Sequence, residues 1–265
     1  MKCFICDGAM GPYFSKKFNE FNLTLVDYWK CQHCGFVLSK THSDMSQDEW
    51  AALNDKYHNF YLGSESNQDD PNWLMRLNEQ AQVLGQLYHK RVLPREMGWV
   101  DYGCGDGKLA DLLFNNSKIE VKKYDKYTKN KYADSYLSDN DLYKNKHSVV
   151  INCSVFEHIL SIDSIADIFN LIDNDNGVLA LHTLVREDIP PDPGWFYLLP
   201  VHCAFFTNKS MQILFECFDF MASLYHVEAR MWFWFKRKPS PKSIKTLTSI
   251  PGSWVYKKGF VDYWK

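Results

Sequence analysis

Val100-Asp101-Tyr102-Gly103-Cys104-Gly105-Asp106-Gly107 is the stretch that decides how this chain folds. An apolar extended run ends in an acid, and a glycine-dense turn follows. An amphipathic helix carrying Leu109, Leu112 and Leu113 opens directly after it. Glycine admits φ > 0 and lets a ligand lie against bare main chain. The amide end of the helix then faces that ligand with partial positive charge. The turn reads as a nucleotide-type cofactor site.

Three glycine loops compete for it. A Walker loop needs glycine at 102 and a hydroxyl at 109, where Tyr102 and Leu109 stand. The dinucleotide fingerprint fits at Gly103 and Gly105 but meets Lys108 at its third glycine. The pattern acid-x-Gly-x-Gly-x-Gly is matched at every position by Asp101, Gly103, Gly105 and Gly107. It resembles motif I of the class I S-adenosylmethionine-dependent methyltransferases. That resemblance implies an α/β fold, a doubly wound, Rossmann-like seven-stranded sheet, with S-adenosylmethionine as cofactor. Gly103, Cys104, Gly105 and Gly107 would admit its methionine part, with Asp101 near the ammonium group. The alternative is a tight strand-to-helix turn with no ligand, although three alternating glycines weaken a fold that does not need them.

Residues 119–125 read as a second strand ending in Asp125, 22 residues after Gly103. A strand-end carboxylate at about that distance can accept both ribose hydroxyls; a solvated turn aspartate is the other reading. Residues 148–153 form an apolar run suited to a buried parallel strand. Ser154, a cofactor-binding candidate, and Val155-Phe156-Glu157-His158 follow at its carboxyl end, where ligands bind in open α/β sheets. A Glu-His pair there is frequent in the methyltransferase superfamily. Residues 177–183 read as a further strand ending in His182-Thr183. Beyond it, residues 195–211 and an apolar helix ending near Phe220 resemble the later half of the "methyltransferase domain 23" group, where a His-x-x-Phe-Phe-Thr segment precedes the penultimate helix. His226–Lys238 reads as the last strand, its aromatics as core. The resemblance spans about residues 96–238.

The amino end carries Cys3-x-x-Cys6 and Cys31-x-x-Cys34, separated by 24 residues. Four thiolates on two tight turns suit tetrahedral zinc, here structural, because four sulfurs leave no position for water. Gly8 and Gly35 fit turns that aim amides at sulfur, and His33 is expected to face solvent. Two disulfides or free thiols are the alternatives. No apolar leader precedes Cys3, so a cytoplasmic, reducing location is expected and disulfides are disfavoured. Four cysteines ahead of such a core resemble the zinc-binding amino-terminal part of sugar methyltransferases, notably the deoxysugar C-methyltransferases. Two departures matter. Only 27 residues follow Lys238, too few for the further domain those enzymes carry, and Val155 stands where they tend to have Tyr. Both favour methyl transfer to a hydroxyl over deprotonation beside a ketone.

Among 265 residues, 46% are hydrophobic and 16% aromatic, which excludes disorder and provides for a sizeable core. Net charge is −2, with no long basic tract, so no general nucleic-acid binding is expected. The five lysines in Lys122–Lys131 read as a solvated edge. No run approaches the roughly 20 apolar residues of a membrane span. Cys104, Cys153, Cys203 and Cys217 have no metal-like spacing and read as buried thiols.

The chain divides into a zinc ribbon (1–45), a helical connector or lid (46–95), the cofactor-binding domain (96–238) and an aromatic tail (239–265). In the connector, Trp50, Leu53 and Tyr57 share one face, and Trp73, Leu77, Val83, Leu84 and Leu87 another. Between them the polar loop Gly63–Pro71 is expected to be mobile and able to cover the cofactor. The tail, with Trp254, Tyr256, Phe260, Tyr263 and Trp264, is expected to pack back on the body or on a partner, in a homo- or hetero-oligomer.

A sugar hydroxyl is too weak an acid to ionise unaided, so a general base is needed and histidine is the natural choice. His158, His182 and His202 all fall at expected strand ends. The sugar-enzyme resemblance puts His158 first, with Glu157 orienting it or touching the cofactor, and His202 second; for each, a hydrogen-bonded structural histidine is the other reading. Trp195, Tyr197 and Arg186 are weaker candidates for shaping the acceptor pocket. The leading expectation is O-methylation of a carbohydrate, as nucleotide-sugar or surface glycan. A C-methylated ketosugar, a small aromatic metabolite, RNA, or a non-catalytic binding module with the same fold are the alternatives.

Overall fold

Central strands with apolar residues on both faces must be covered on both, and the order of elements supplies the cover. The computed structural model describes residues 1–61, 71–127 and 135–262. From the amino terminus come β1 (Met10–Lys17), β2 (Leu25–Cys31), β3 (Val37–Ser39), the one-turn helix α1 (Lys40–Ser43), α2 (Gln47–Tyr61) and α3 (Trp73–His89). Strands and helices then alternate: β4 (Trp99–Tyr102), α4 (Lys108–Ser117), β5 (Val121–Tyr124), α5 (Asp139–Leu142), β6 (Val149–Cys153), α6 (Ile162–Phe169) and β7 (Val178–His182). They are followed by β8 (Val185–Arg186), β9 (Ala204–Thr207), α7 (Asn208–Cys217), β10 (Ala222–His226), β11 (Met231–Phe235), α8 (Pro241–Thr246) and β12 (Trp254–Lys257).

The main sheet is the expected doubly wound one, seven strands in the order β12-β10-β11-β7-β6-β4-β5. Strands β5, β4, β6 and β7 run parallel, and β11, β10 and β12 continue antiparallel. Side chains alternate between the two faces. Val100, Val150, Leu179, Leu181, Trp232 and Trp234 pack with α6 and α7 on one side. Trp99, Val149, Ile151, Val178, Ala180 and Phe233 pack with α3 and α4 on the other.

Two details differ from the sequence reading. His226–Lys238 is not one strand but part of a hairpin. The chain turns at Val227–Arg230, where Arg230 has φ of 50° and Ala229 N donates to His226 Nδ1. The polar pair Glu228 and Arg230 marks a turn that the surrounding aromatics masked. The seventh strand comes instead from the tail: β12 pairs antiparallel with β10, Phe260 and Val261 are buried, and the Trp232 indole donates to the Val261 carbonyl. Beyond β5 the described residues add only an isolated parallel bridge, Lys123 to Tyr136. Tyr263 and Trp264, the loop at 63–70 and residues 128–131 of the lysine-rich edge lie outside the described residues.

A second sheet, β1-β2-β3-β9-β8, joins the amino-terminal strands to residues 185–207. Val37 and Leu38 of β3 pair with Phe205 and Ala204 of β9. The cysteine-bearing strands therefore share hydrogen bonds with the segment that leads into α7. Phe36 sits between Phe4 and Phe206, at ring-centroid distances of 4.9 and 5.1 Å. Among the described residues no helix is long and apolar enough to cross a membrane.

Phe36→Ala should remove that joint. Chemical denaturation is expected to show a loss of about 3–5 kcal/mol in one cooperative transition; an unchanged main transition with separate early melting would mean that the two sheets are independent.

Candidate active site

The glycine turn is held from below. Gly103 N and Cys104 N both donate to the Tyr124 carbonyl at the end of β5, at 2.8 and 3.1 Å. Gly103, Gly105 and Gly107 all have φ between 56° and 78°, in the left-handed region. At Gly103 a Cβ would lie 2.4 Å from the Val155 side chain, so the β6 end closes against bare backbone. At Gly105 a Cβ would meet none of the described atoms within 4 Å. The turn thus opens a cradle at its middle glycine and is tight at its first.

Carboxylates line the cradle. Asp125 accepts from Gly105 N at 2.9 Å and, through its other oxygen, from Tyr127 N at 2.8 Å. Tyr136 donates its hydroxyl to the Gly105 carbonyl at 2.7 Å. Asp101 is buried at the end of β4, and none of the described groups donates a hydrogen bond to its carboxylate. Burial first, and then the charge of Asp125, push its pKa up to about 7. A buried carboxylate beside another one favours a cationic guest. Open main chain together with this anionic floor fits a nucleoside ligand that carries positive charge.

The second half of the site grows from the end of β6. Ser154 takes φ of 57° and donates its amide to the His182 carbonyl. That kink leads into a short 3-10 turn, Phe156–His158. Glu157 is buried; one carboxylate oxygen accepts from Tyr197 Oη at 2.7 Å and the other from Thr183 Oγ1 at 3.0 Å. Burial and the Glu157 charge hold the Tyr197 phenol far above its usual pKa, which keeps it a donor. The His158 and His202 rings meet edge to face, 5.0 Å between centroids. Burial and neighbouring His202 hold the His158 pKa well below its ordinary value, so its ring is neutral at pH 7. His202 Nδ1 is tied to the Tyr197 carbonyl at 2.8 Å.

His182, the third histidine considered, faces elsewhere: its Nδ1 meets the Arg230 carbonyl at 2.7 Å, and burial, with the charge of Arg76, brings its pKa down to about 3. Trp195 is buried beside Tyr197 and Phe205 in the core under the second sheet, so it supports rather than lines the site. Arg186 sits on β8, paired with Thr207. Cys203 is buried as expected, Cys104 and Cys153 are half-buried, and Cys217 is exposed at the end of α7, where the amphipathic turn faces solvent.

Sequence reasoning missed His58 on α2. Its ring lies 5.3 Å from that of His158 and stacks parallel to Tyr127 at 6.5 Å. Its Nδ1 is tied to the Asn54 carbonyl at 2.8 Å. The one local signal was its position beside Tyr57 on the buried face of the connector; its partners come from other parts of the chain.

At the amino end, Cys3 Sγ lies 3.8 Å from Cys34 Sγ and Cys6 Sγ 3.5 Å from Cys31 Sγ, so none is a disulfide. A tetrahedron with metal–sulfur bonds of about 2.3 Å has edges of about 3.8 Å, so all four thiols are placed as one ligand set. His33 N and Cys34 N point at Cys31 Sγ, and His33 itself is exposed. The second knuckle rests on α7: the Thr207 hydroxyl donates to the Cys34 carbonyl, and Thr207 also caps the helix.

The methyltransferase domain family matches residues 76–222. Magnesium protoporphyrin IX methyltransferase (ChlM) from Synechocystis PCC 6803, a structure with bound SAH, aligns with a TM-score of 0.46 at 16% identity, over 72% of this chain and 98% of that one. The plantazolicin methyltransferase BpumL, in complex with SAH, aligns with a TM-score of 0.41 at 12% identity, over 79% of this chain and 96% of that one. No curated protein matches the chain.

Asp101 gives the site a pH signature. A cation favours the ionised carboxylate, so binding is strongest above pH 7 and weakens as Asp101 gains a proton below it. Calorimetry with S-adenosylmethionine should show affinity falling by up to about tenfold per pH unit between about pH 7 and 5. Asp101→Asn should bind weakly with a flat profile; a wild-type profile in that variant would remove Asp101 from the site.

Proposed function

This chain belongs to the methyltransferase domain family and is an S-adenosylmethionine-dependent methyltransferase; from that premise we propose that it methylates a carbohydrate hydroxyl, with the acceptor held among Glu157, His158 and His202. The observation that carries the proposal is the edge-to-face His158–His202 pair, with a neutral His158 ring, at the carboxyl end of β6. When bound, the cofactor supplies a methyl group on sulfonium, which passes to the acceptor oxygen as the carbon–sulfur bond breaks with its electron pair on sulfur.

The chain's own residues divide the remaining work. Gly103, Cys104, Gly105 and Gly107 give backbone room for the methionine part, Asp101 faces its ammonium group, Asp125 accepts from the ribose, and Ser154 lies beside it at the turn. His158 takes the hydroxyl proton, with His202 second in order. Glu157, fixed by two hydroxyl donors, places a negative charge next to the imidazolium that forms, which lowers the cost of creating it in a buried site. Positioning of acceptor against donor supplies the larger share of the rate.

Cys3, Cys6, Cys31 and Cys34 hold a structural zinc ion in this reading. Four thiolates fill its coordination, so it offers no open position for chemistry. Its role is to fix the knuckles against Thr207 and thereby β9, which begins two residues after His202. The sugar acceptor is supported by the resemblance of this four-cysteine module to that of sugar methyltransferases and by the neutral His158 ring, suited to a hydroxyl proton.

Zinc-loaded protein incubated with cofactor and a panel of nucleotide-sugars and glycans should yield a methyl ether, read by mass spectrometry. His158→Ala should lower turnover of the acceptor so found by about 10²–10⁴-fold, with cofactor affinity retained. Methylation of a ketosugar carbon, an aromatic metabolite or RNA in place of every glycan would overturn the acceptor assignment; unchanged turnover in His158→Ala would remove that residue.

A further inference from the structure

We propose that Glu157, His158 and His202 form a second metal centre, distinct from the four cysteines, that takes a divalent first-row transition metal. The inference deepens the function proposed above and rests on its placing of the acceptor at this cluster.

Geometry carries it. One ligand atom from each of the three residues lies within 4.8 Å of the others. Bonds of about 2.0–2.2 Å to imidazole nitrogen and carboxylate oxygen hold ligand atoms about 3–4 Å apart, so the three side chains need only a small adjustment to close on one ion. The surroundings are those that orient metal ligands. A metal-bound histidine gives its other ring nitrogen to a carbonyl or carboxylate, and a ligating carboxylate is itself hydrogen-bonded. Here His202 Nδ1 is committed to the Tyr197 carbonyl, and the Val201 backbone carbonyl bonds to His158. Glu157 is held by the hydroxyls of Tyr197 and Thr183. His158 Nδ1 is buried and has no hydrogen-bond partner among the described residues. An orphaned ring nitrogen in a polar cluster is costly unless something binds it.

Two nitrogens and one carboxylate oxygen suit Fe²⁺, Mn²⁺, Co²⁺ or Zn²⁺, and three protein ligands leave positions open. A hydroxyl drawn to such a cation gives up its proton more readily. His58, 5.3 Å from His158 between ring centroids and anchored through Nδ1 on α2, is then the imidazole that receives it. In the metal-loaded enzyme the cation does the acidifying that a free His158 does otherwise. Both routes lose turnover in His158→Ala, and metal content separates them.

The test is metal stoichiometry on the full chain. After dialysis against Co²⁺, wild-type protein should carry two metals per chain by elemental analysis. One should show the absorption of a thiolate site and the other that of a nitrogen–oxygen site. His158→Ala and His202→Ala should each retain only the thiolate-bound metal. Tyr197→Phe, which keeps the ring and removes one hydroxyl from Glu157, should weaken the second site by about 10–100-fold while leaving the first unchanged. A wild-type count of one, with only the thiolate spectrum, overturns the proposal. So does a second metal that survives in both histidine variants. Glycan methylation with a count of one would leave the function standing and sink the metal centre alone; a count of two with no glycan methylated would do the reverse.

Discussion

Everything in the functional half of this molecule hangs on a backbone turn that only glycine tolerates. Gly103, Gly105 and Gly107 all sit in the left-handed region, where a side chain costs roughly 1–2 kcal/mol per residue. The turn is clamped by two amides on the Tyr124 carbonyl and one on the Asp125 carboxylate. That clamp joins the ends of β4 and β5, sets Asp125 opposite Gly105, and leaves Asp101 buried without a hydrogen-bond donor among the described residues. The fold therefore spends stability to keep open main chain beside two carboxylates. Such an arrangement is costly for a structural turn and useful for a cationic nucleoside.

The same constraint reaches the histidine cluster. Val155 closes over Gly103, which a larger residue at 103 would forbid, and that closure brings Glu157 and His158 next to the cradle. Glu157 then acts as a hub. It receives Tyr197 and Thr183 through its side chain, and its carbonyl accepts from Cys203 N at 2.8 Å. Cys203 leads into β9, β9 pairs with β3, and β3 follows the second cysteine knuckle. The amino-terminal strands are thus coupled to the histidines through a continuous set of hydrogen bonds.

Much of this was legible in the sequence because it is local. The acid-x-Gly-x-Gly-x-Gly turn, the strand ending at Asp125, the apolar run before Glu157-His158 and the two Cys-x-x-Cys pairs each lie within a few residues. What stayed hidden depends on residues far apart in the chain. His58 is an ordinary helical histidine until α2 is laid beside Tyr127 and His158. The five-stranded second sheet could not be read because two of its strands, β8 and β9, begin 151 and 170 residues after Cys34. The β10–β11 hairpin was read as one strand because aromatic residues on both sides of Val227–Arg230 concealed a polar turn. Even the seventh strand of the main sheet came from the tail, whose β-pairing is set by an edge that β10 offers only after folding.

A crystal structure grown with the demethylated product S-adenosylhomocysteine tests the central claim most directly. The account predicts the ligand against Gly105, with its ribose hydroxyls on Asp125 and its amino group facing Asp101. A well-ordered crevice from Asp101 to Gly107 closed by protein side chains, with the ligand excluded at saturating concentration, would contradict it.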